Sequence, residues 1–179
     1  LPSTTYLNNS TVGGTFNAPG SVIQVVTATA GFYTTPSVAA GSTTNWLAAS
    51  ITKKSTTSKL LIIFYGQKGQ GDAGDNCLRI NSSLDGRLTG AEGGTSTVMQ
   101  GIYSLGTDRG WSGGVSTYFM ENCSFHYLYT PSNSTASITI TVQLYAEVAE
   151  TIYFNGEGWR GGGQQAHNSR AQLTIMEIA

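Results

Sequence analysis

The sequence predicts an all-β protein, an antiparallel β-sandwich of jelly-roll type over residues 21–179, preceded by an extended N-terminal arm over residues 1–20. Three observations carry that expectation. No window holds apolar residues at i, i+3, i+4 and i+7 over the length of a helix. Short segments rich in β-branched and aromatic residues recur along the chain, several alternating apolar with polar positions. Between them lie connections such as TPSNST and NGEGWRGGG, whose residues end strands and make turns.

Taken in order, the arm LPSTTYLNNSTVGGTFNAPG has turn chemistry and little apolar content, so it is read as extended. Ser21–Ala28 opens the domain as a strand, and Trp46–Thr52 is the next. KLLIIFYG, Lys59–Gly66, is apolar on both parities, as a central strand covered on both faces would be. Asn76–Ser82 and Thr97–Ser104 follow. Tyr118–Thr130 sets Phe119, Cys123, Phe125, Tyr127 and Tyr129 on one side. Ser134–Val148 is the clearest strand. Ile138, Ile140, Val142, Leu144, Ala146 and Val148 alternate with Thr139, Thr141, Gln143, Tyr145 and Glu147, so one face is core and the other wet. Thr151–Asn155 is short, and Arg170–Ile178 closes the chain, making nine strands with no internal repeat.

The closing strand changes phase. Ala171, Leu173 and Ile175 alternate with Arg170, Gln172 and Thr174, but Met176 and Ile178 then lie on the opposite face, with Glu177 at a core position. A β-bulge or a neighbouring subunit over the second face would each account for this. The neighbour is the favoured reading, and it makes Met176 and Ile178 the candidate subunit contact.

Composition narrows the function. Charged residues are 11% of the chain and the net charge is −1, with no Lys/Arg run, so no surface is built to hold the phosphates of a nucleic acid. Gly, Ser and Thr together are 66 of the 179 residues, so solubility rests on hydroxyls and amides rather than charge, a pattern common in extracellular and virion β-proteins. The longest apolar run, Leu60–Tyr65, is far too short for a membrane-spanning helix, and no charged segment followed by an apolar one opens the sequence as a signal peptide would.

Catalytic chemistry is sparse. His126 and His167 are the two histidines, and each is read as structural or surface; no GxSxG, HExxH or P-loop pattern occurs. Asp72 and Asp75 in GDAGDN lack the repeated acidic positions and the closing Glu of a calcium loop, so no metal is expected. The carboxylates Asp85, Glu92, Asp108, Glu121, Glu147, Glu150 and Glu157 form the scatter any β-sandwich carries, not a hydrolytic pair. Cys77 and Cys123 make no metal or redox motif and are read as two buried thiols rather than a bridge. The Asn-x-Ser/Thr sequons at Asn8, Asn9, Asn81, Asn122 and Asn133 follow from the Ser/Thr content. No enzyme activity and no cofactor are expected.

Binding candidates sit in three long connections, Gly66–Asn76, Ser104–Ser116 and Asn155–Arg170, since loops on a rigid β-scaffold are where binding sites usually lie. Trp111 and Trp159, flanked by Gly, could stack on sugar rings while Asp108, Arg109 or Arg160 hydrogen-bonds hydroxyls; the alternative is that the two tryptophans pack under the loops or at a subunit contact.

Four landmarks carry a family resemblance: APGSVIQVV (Ala18–Val26), SKLLIIFYG (Ser58–Gly66), FHYLYTPSNSTASITITVQLY (Phe125–Tyr145), and TIYFNG followed by SRAQLTIMEIA. In this order they resemble a domain of tail-fibre and other virion structural proteins of tailed phages, whose patterns include SSKILV, LDSPNTTSATTYKVQ and TVYINR … SSITVMEI. The resemblance covers residues 18–179. It departs at Tyr129-Thr130, where the family has Asp before its turn, and in loops 66–76 and 104–116. The family carries no catalytic residues. The resemblance implies a virion structural protein, a homotrimeric tail-fibre or receptor-binding head whose loops meet a host surface glycan and whose arm, residues 1–20, meets other virion proteins. A capsid decoration or knob protein is the alternative within that class, and a stand-alone carbohydrate-binding module the alternative outside it.

Overall fold

The computed structural model describes residues 19–30, 36–70, 76–88, 104–105, 120–132, 135–146, 149–155 and 170–179. Among them the secondary structure is all strand: β1 (Val22–Ala30), β2 (Ser37–Val38), β3 (Ser42–Thr52), β4 (Lys59–Gln70), β5 (Asn76–Ser82), β6 (Gly86–Arg87), β7 (Ser104–Leu105), β8 (Met120–Tyr129), β9 (Ser137–Ala146), β10 (Glu150–Phe154) and β11 (Ala171–Ile178). The alternating segments of the sequence form the long strands. The two-residue strands β2, β6 and β7 are too short to carry a period, and no sequence pattern marks them. The expected strand Thr97–Ser104 lies, but for Ser104 in β7, outside the described residues, as does Cys77's side chain.

Six strands make one sheet in the order β1-β11-β4-β10-β2, with β8 also on β4; five make the other in the order β3-β9-β5-β6, with β7 also on β5. Every pairing is antiparallel. On β4, β8 occupies one edge from Leu60 to Gly69, so β11 on Lys59–Tyr65 and β10 on Lys68–Gln70 share the other edge end to end. By the same reasoning β2 continues β1, and β7 continues β6 along β5. The eleven strands therefore fill eight rows, (β1/β2)-(β10/β11)-β4-β8 facing β3-β9-β5-(β6/β7). The chain crosses between the sheets at almost every step, and its first row lies beside its last. That is a jelly roll.

The core is the space between the sheets. Ile62, Phe64, Leu173 and Ile175 point into it from one side, and Ile138, Ile140, Val142 and Leu144 from the other, all at most 1% exposed. Each such side chain contributes about 1.5–3 kcal/mol relative to exposure. A bulge in β3 between Asn45 and Leu47 brings Trp46 inward beside Leu47. Its ring stacks on Phe154 at 4.6 Å and meets Phe64 edge-on at 4.9 Å. Gly66 makes room for it: a Cβ there would lie 2.7 Å from Trp46 Cζ2 and 2.8 Å from Phe64 Cζ.

The closing strand keeps its phase. β11 pairs with β4 in unbroken register from Gln172↔Tyr65 to Ile178↔Lys59, so neither a bulge nor a slip occurs within it. The irregularity is in β1, between Val22 and Gln24. Ala171, Leu173, Ile175 and Glu177 all face inward and are buried, while Met176 and Ile178 are half-buried on the outer face. Glu177 is a core-facing carboxylate.

Candidate functional site

Strand direction gives the sandwich two unlike ends. At the lower end β1 begins, β11 finishes, and the corner 53–58 joins β3 to β4. The chain enters there, with Gly20 N–H donating to Ala179 O and Ala179 N–H to Ser21 O, both at 2.9 Å, so the end of β11 is laced to the residue that follows the arm.

The upper end receives β4 at Gln70, β5 at Asn76, β7 at Leu105 and the start of β8 at Met120, where Gly69 pairs Met120 and Asn76 pairs Leu105. Connections 71–75 and 106–119 therefore both spring from the upper end. Connection 156–170 leaves the upper half of the sheet at its side, between Asn155, whose N–H donates to Gln67 O, and β11. Asn155 turns the chain out with φ 59°, a left-handed conformation that Asn tolerates better than most residues. Trp111, Asp108 and Arg109 belong to the first group of connections and Trp159 and Arg160 to the last; these five, with Asp72, Asp75 and His167, lie outside the described residues. The strand ends that carry the three sequence-predicted loops thus lie in the half of the molecule away from the start of β1.

The lower end is held by buried polar groups. Glu177 is fully buried. Its carboxylate accepts from Gln24 Nε2 at 2.6 Å, from Lys54 N–H at 2.9 and 3.0 Å, from Ser55 N–H at 3.0 Å, and from the Ser58 hydroxyl. One side chain of β11 thus fastens the β3–β4 corner and the β1 edge together. Burial pushes this carboxyl's pKa up, but the bonds from Ser58, Lys54, Gln24 and Ser55 outweigh it and hold it below the ordinary value. Lys53, itself buried, donates to Thr56 O at 3.0 Å; desolvation lowers its pKa against the pull of Glu177. A second cluster joins the turns β5–β6 and β8–β9. Tyr129 donates to Asp85, whose carboxylate also accepts from Ser132 Oγ at 2.7 Å and Ser132 N at 3.2 Å.

Among the described residues, no layer packs on the outer face of the six-stranded sheet. The pairing aligns Val25, Met176, Leu61 and Leu128 as one apolar row across β1, β11, β4 and β8. Val25 and Leu128 are each 52% exposed, and Ile63 and Tyr65 on β4 are 36% and 47% exposed. The both-faced apolar pattern of KLLIIFYG predicts cover on two sides; among the described residues it has cover on one. Met176 and Ile178 do share this face, as expected, and Leu61 belongs to the both-faced pattern, while Val25 and Leu128 carry no signal in the sequence, because only register brings them into the row. His126 is exposed on the same face beside Ile63. Among the described residues no cluster of His, Cys, Asp and Glu could hold a metal ion, and no helix is long and apolar enough to cross a membrane.

No family model matches the chain, and no curated protein matches it. Among solved structures it is similar to one titled "Structure of infectious bursal disease virus Gx strain", at 15% identity and a TM-score of 0.39, over 88% of this chain and 37% of that one. The chain thus spans little more than a third of that neighbour's length. At this identity and score the likeness adds nothing to what strand pairing has already established.

Proposed function

We propose that this chain is a non-enzymatic virion structural domain, a homotrimeric tail-fibre or receptor-binding head of a tailed phage that is tethered through residues 1–20 and meets the host surface through its loops. The observation that carries the reading is the separation of the two ends: the arm joins where β1 starts, and the long connections spring from the opposite half. A domain held at one end and presenting loops at the other has the build of a terminal head. The low charge and the Gly-, Ser- and Thr-rich composition fit an exposed particle surface, and jelly rolls serve viral capsid and lectin domains, a fold-level analogy only.

Two measurements test it together. Gold-labelled antibody against the domain, applied to intact particles, decorates fibre tips under this reading; a regular array over the capsid assigns it instead to decoration, and unlabelled particles reject a virion role. Purified domain competes with particle adsorption to host cells if it is the receptor-binding part. Glycan binding by an isolated monomer, without competition, favours the carbohydrate-binding module.

A further inference from the structure

We infer that the outer face of the six-stranded sheet, centred on the row Val25–Met176–Leu61–Leu128, is the surface through which copies of this chain associate. The inference rests on the homo-oligomeric part of the function proposed above and names the face that such assembly uses.

The row is contiguous by register, one residue from each of four adjacent strands, with Ile63 and Tyr65 extending it along β4. Four rows about 4.8 Å apart and about 20 Å of strand length give a footprint of roughly 400 Å². Thr27, Thr174, Gln172, Ser124 and His126 share that area, so about half of it is apolar, and the whole is comparable with the largest patch of an ordinary monomer, which is often functional. It is about half of the roughly 800 Å² per partner in a standard interface, leaving a polar rim to supply the remainder.

The rim is prepared for drying. Gln67 Nε2 donates to Asn122 Oδ1 at 2.7 Å, Gln172 Nε2 donates to Thr174 Oγ1 at 3.1 Å, and Thr174 Oγ1 lies 3.4 Å from Thr27 Oγ1. Those polar groups are already bonded sideways within the face, so covering them costs less than covering unbonded amides and hydroxyls.

The charge pattern selects the occupant. The outward positions of β1, β11, β4 and β8 carry no carboxylate among the described residues, and Lys59 stands at the lower margin. A partner recognised by charge finds little to read here. Two such faces bring one lysine and one histidine each, Lys59 at the margin and His126 beside Ile63, into the same contact, and closed assemblies of identical chains are the commonest kind. A second copy of this chain fits this surface.

The test is the mass in solution of the full chain, by sedimentation and light scattering, for wild type, Val25→Asp, Leu128→Asp and Met176→Asp. Val25 and Leu128 are half-exposed on outer strands, so their variants keep the monomer core; circular dichroism and melting confirm the fold. Leu84→Asp is the control, an exposed apolar residue (38%) in the β5–β6 turn, off this face. The wild type and Leu84→Asp are expected to be oligomers of equal mass. The Val25 and Leu128 variants are expected to associate about a hundredfold more weakly, the scale of placing a charge in a dried apolar contact. A monomeric wild type overturns the inference and the homo-oligomeric reading together. Folded face variants that keep the wild-type mass overturn the inference alone. Particle labelling reads the virion role separately.

Discussion

Replacing Glu177 with Gln removes a charge and turns one acceptor oxygen into an NH2 group, in a pocket that offers only donors. Gln24 Nε2, Lys54 N–H, Ser55 N–H and the Ser58 hydroxyl all point at the carboxylate. The remaining oxygen of the substituted side chain still accepts on the Ser55 and Ser58 side, but the new NH2 faces Lys54 N–H or Gln24 Nε2, donor against donor. Gln24 keeps its second bond, to Thr52 O at 2.6 Å, which limits the damage on the β1 side. Hydrogen bonds to a charged group are worth about 1.5–3 kcal/mol each, and an orphaned buried donor costs about 1–3 kcal/mol. The net loss is therefore about 2–4 kcal/mol, against a total of about 5–15 kcal/mol for a domain. For a chain of this length that lowers Tm by roughly 5–15 °C, read by calorimetry or circular dichroism at neutral pH. Acid supplies a second signature. Because this carboxyl's pKa is lowered on folding, its stabilisation is complete above the unfolded value of about 4.3 and fades as pH falls through the lower folded value. The wild type should thus lose stability in that acid window more steeply than Glu177→Gln. A Gln variant melting within about 1 °C of wild type, with the same acid profile, would refute the idea that Glu177 fastens the corner.

Other outcomes follow from the same contacts. Gly66→Ala sets a methyl against Trp46 and Phe64 and should cost about 1–3 kcal/mol in chemical denaturation; the pair Gly66→Ala with Trp46→Leu should cost less than the sum of the two singles. Tyr129 has its pKa pushed up to about 12, by burial first and then by the bond to Asp85. Its folded pKa lies above the unfolded one, so its contribution is complete below about pH 10 and is lost as pH rises through about 12. Absorbance titration should show one tyrosine ionising late, and Tyr129→Phe should abolish that step while moving Asp85, now held below the ordinary carboxylate range, upward in an NMR titration. Trp111→Ala and Trp159→Ala should weaken adsorption to host cells or glycan while leaving the oligomer mass unchanged; adsorption equal to wild type in both rejects binding through these loops.

Much of this architecture is legible in the sequence because burial on one face forces a two-residue period. Ile138 to Ala146 alternates in the chain and alternates in the structure, and the jelly roll expected from many short strands and glycine-rich turns is the one observed. Two features read less well. Trp46 reads as the first residue of a strand that in fact begins at Ser42, because a bulge sends it inward out of phase, and bulges leave no periodic trace. Glu177 reads as a break in the closing strand. A carboxylate at an inward position is incompatible with a core unless donors converge on it, and those donors come from residues 119 to 153 positions away in the chain.

The sequence by itself determined the class of fold, the approximate strands and the low content of charged residues. These are local properties: period, turn chemistry and composition are written over ten or so residues. Only the tertiary structure decided which strands are neighbours, and therefore that the start of β1 and the strand ends at Gln70, Asn76, Leu105 and Met120 lie at opposite ends, that Val25, Met176, Leu61 and Leu128 stand in one row, and that Glu177 is a fastener. Pairing joins residues far apart in the chain, such as Val25 with Met176, and no local pattern encodes such a partner. Register is a property of two strands at once.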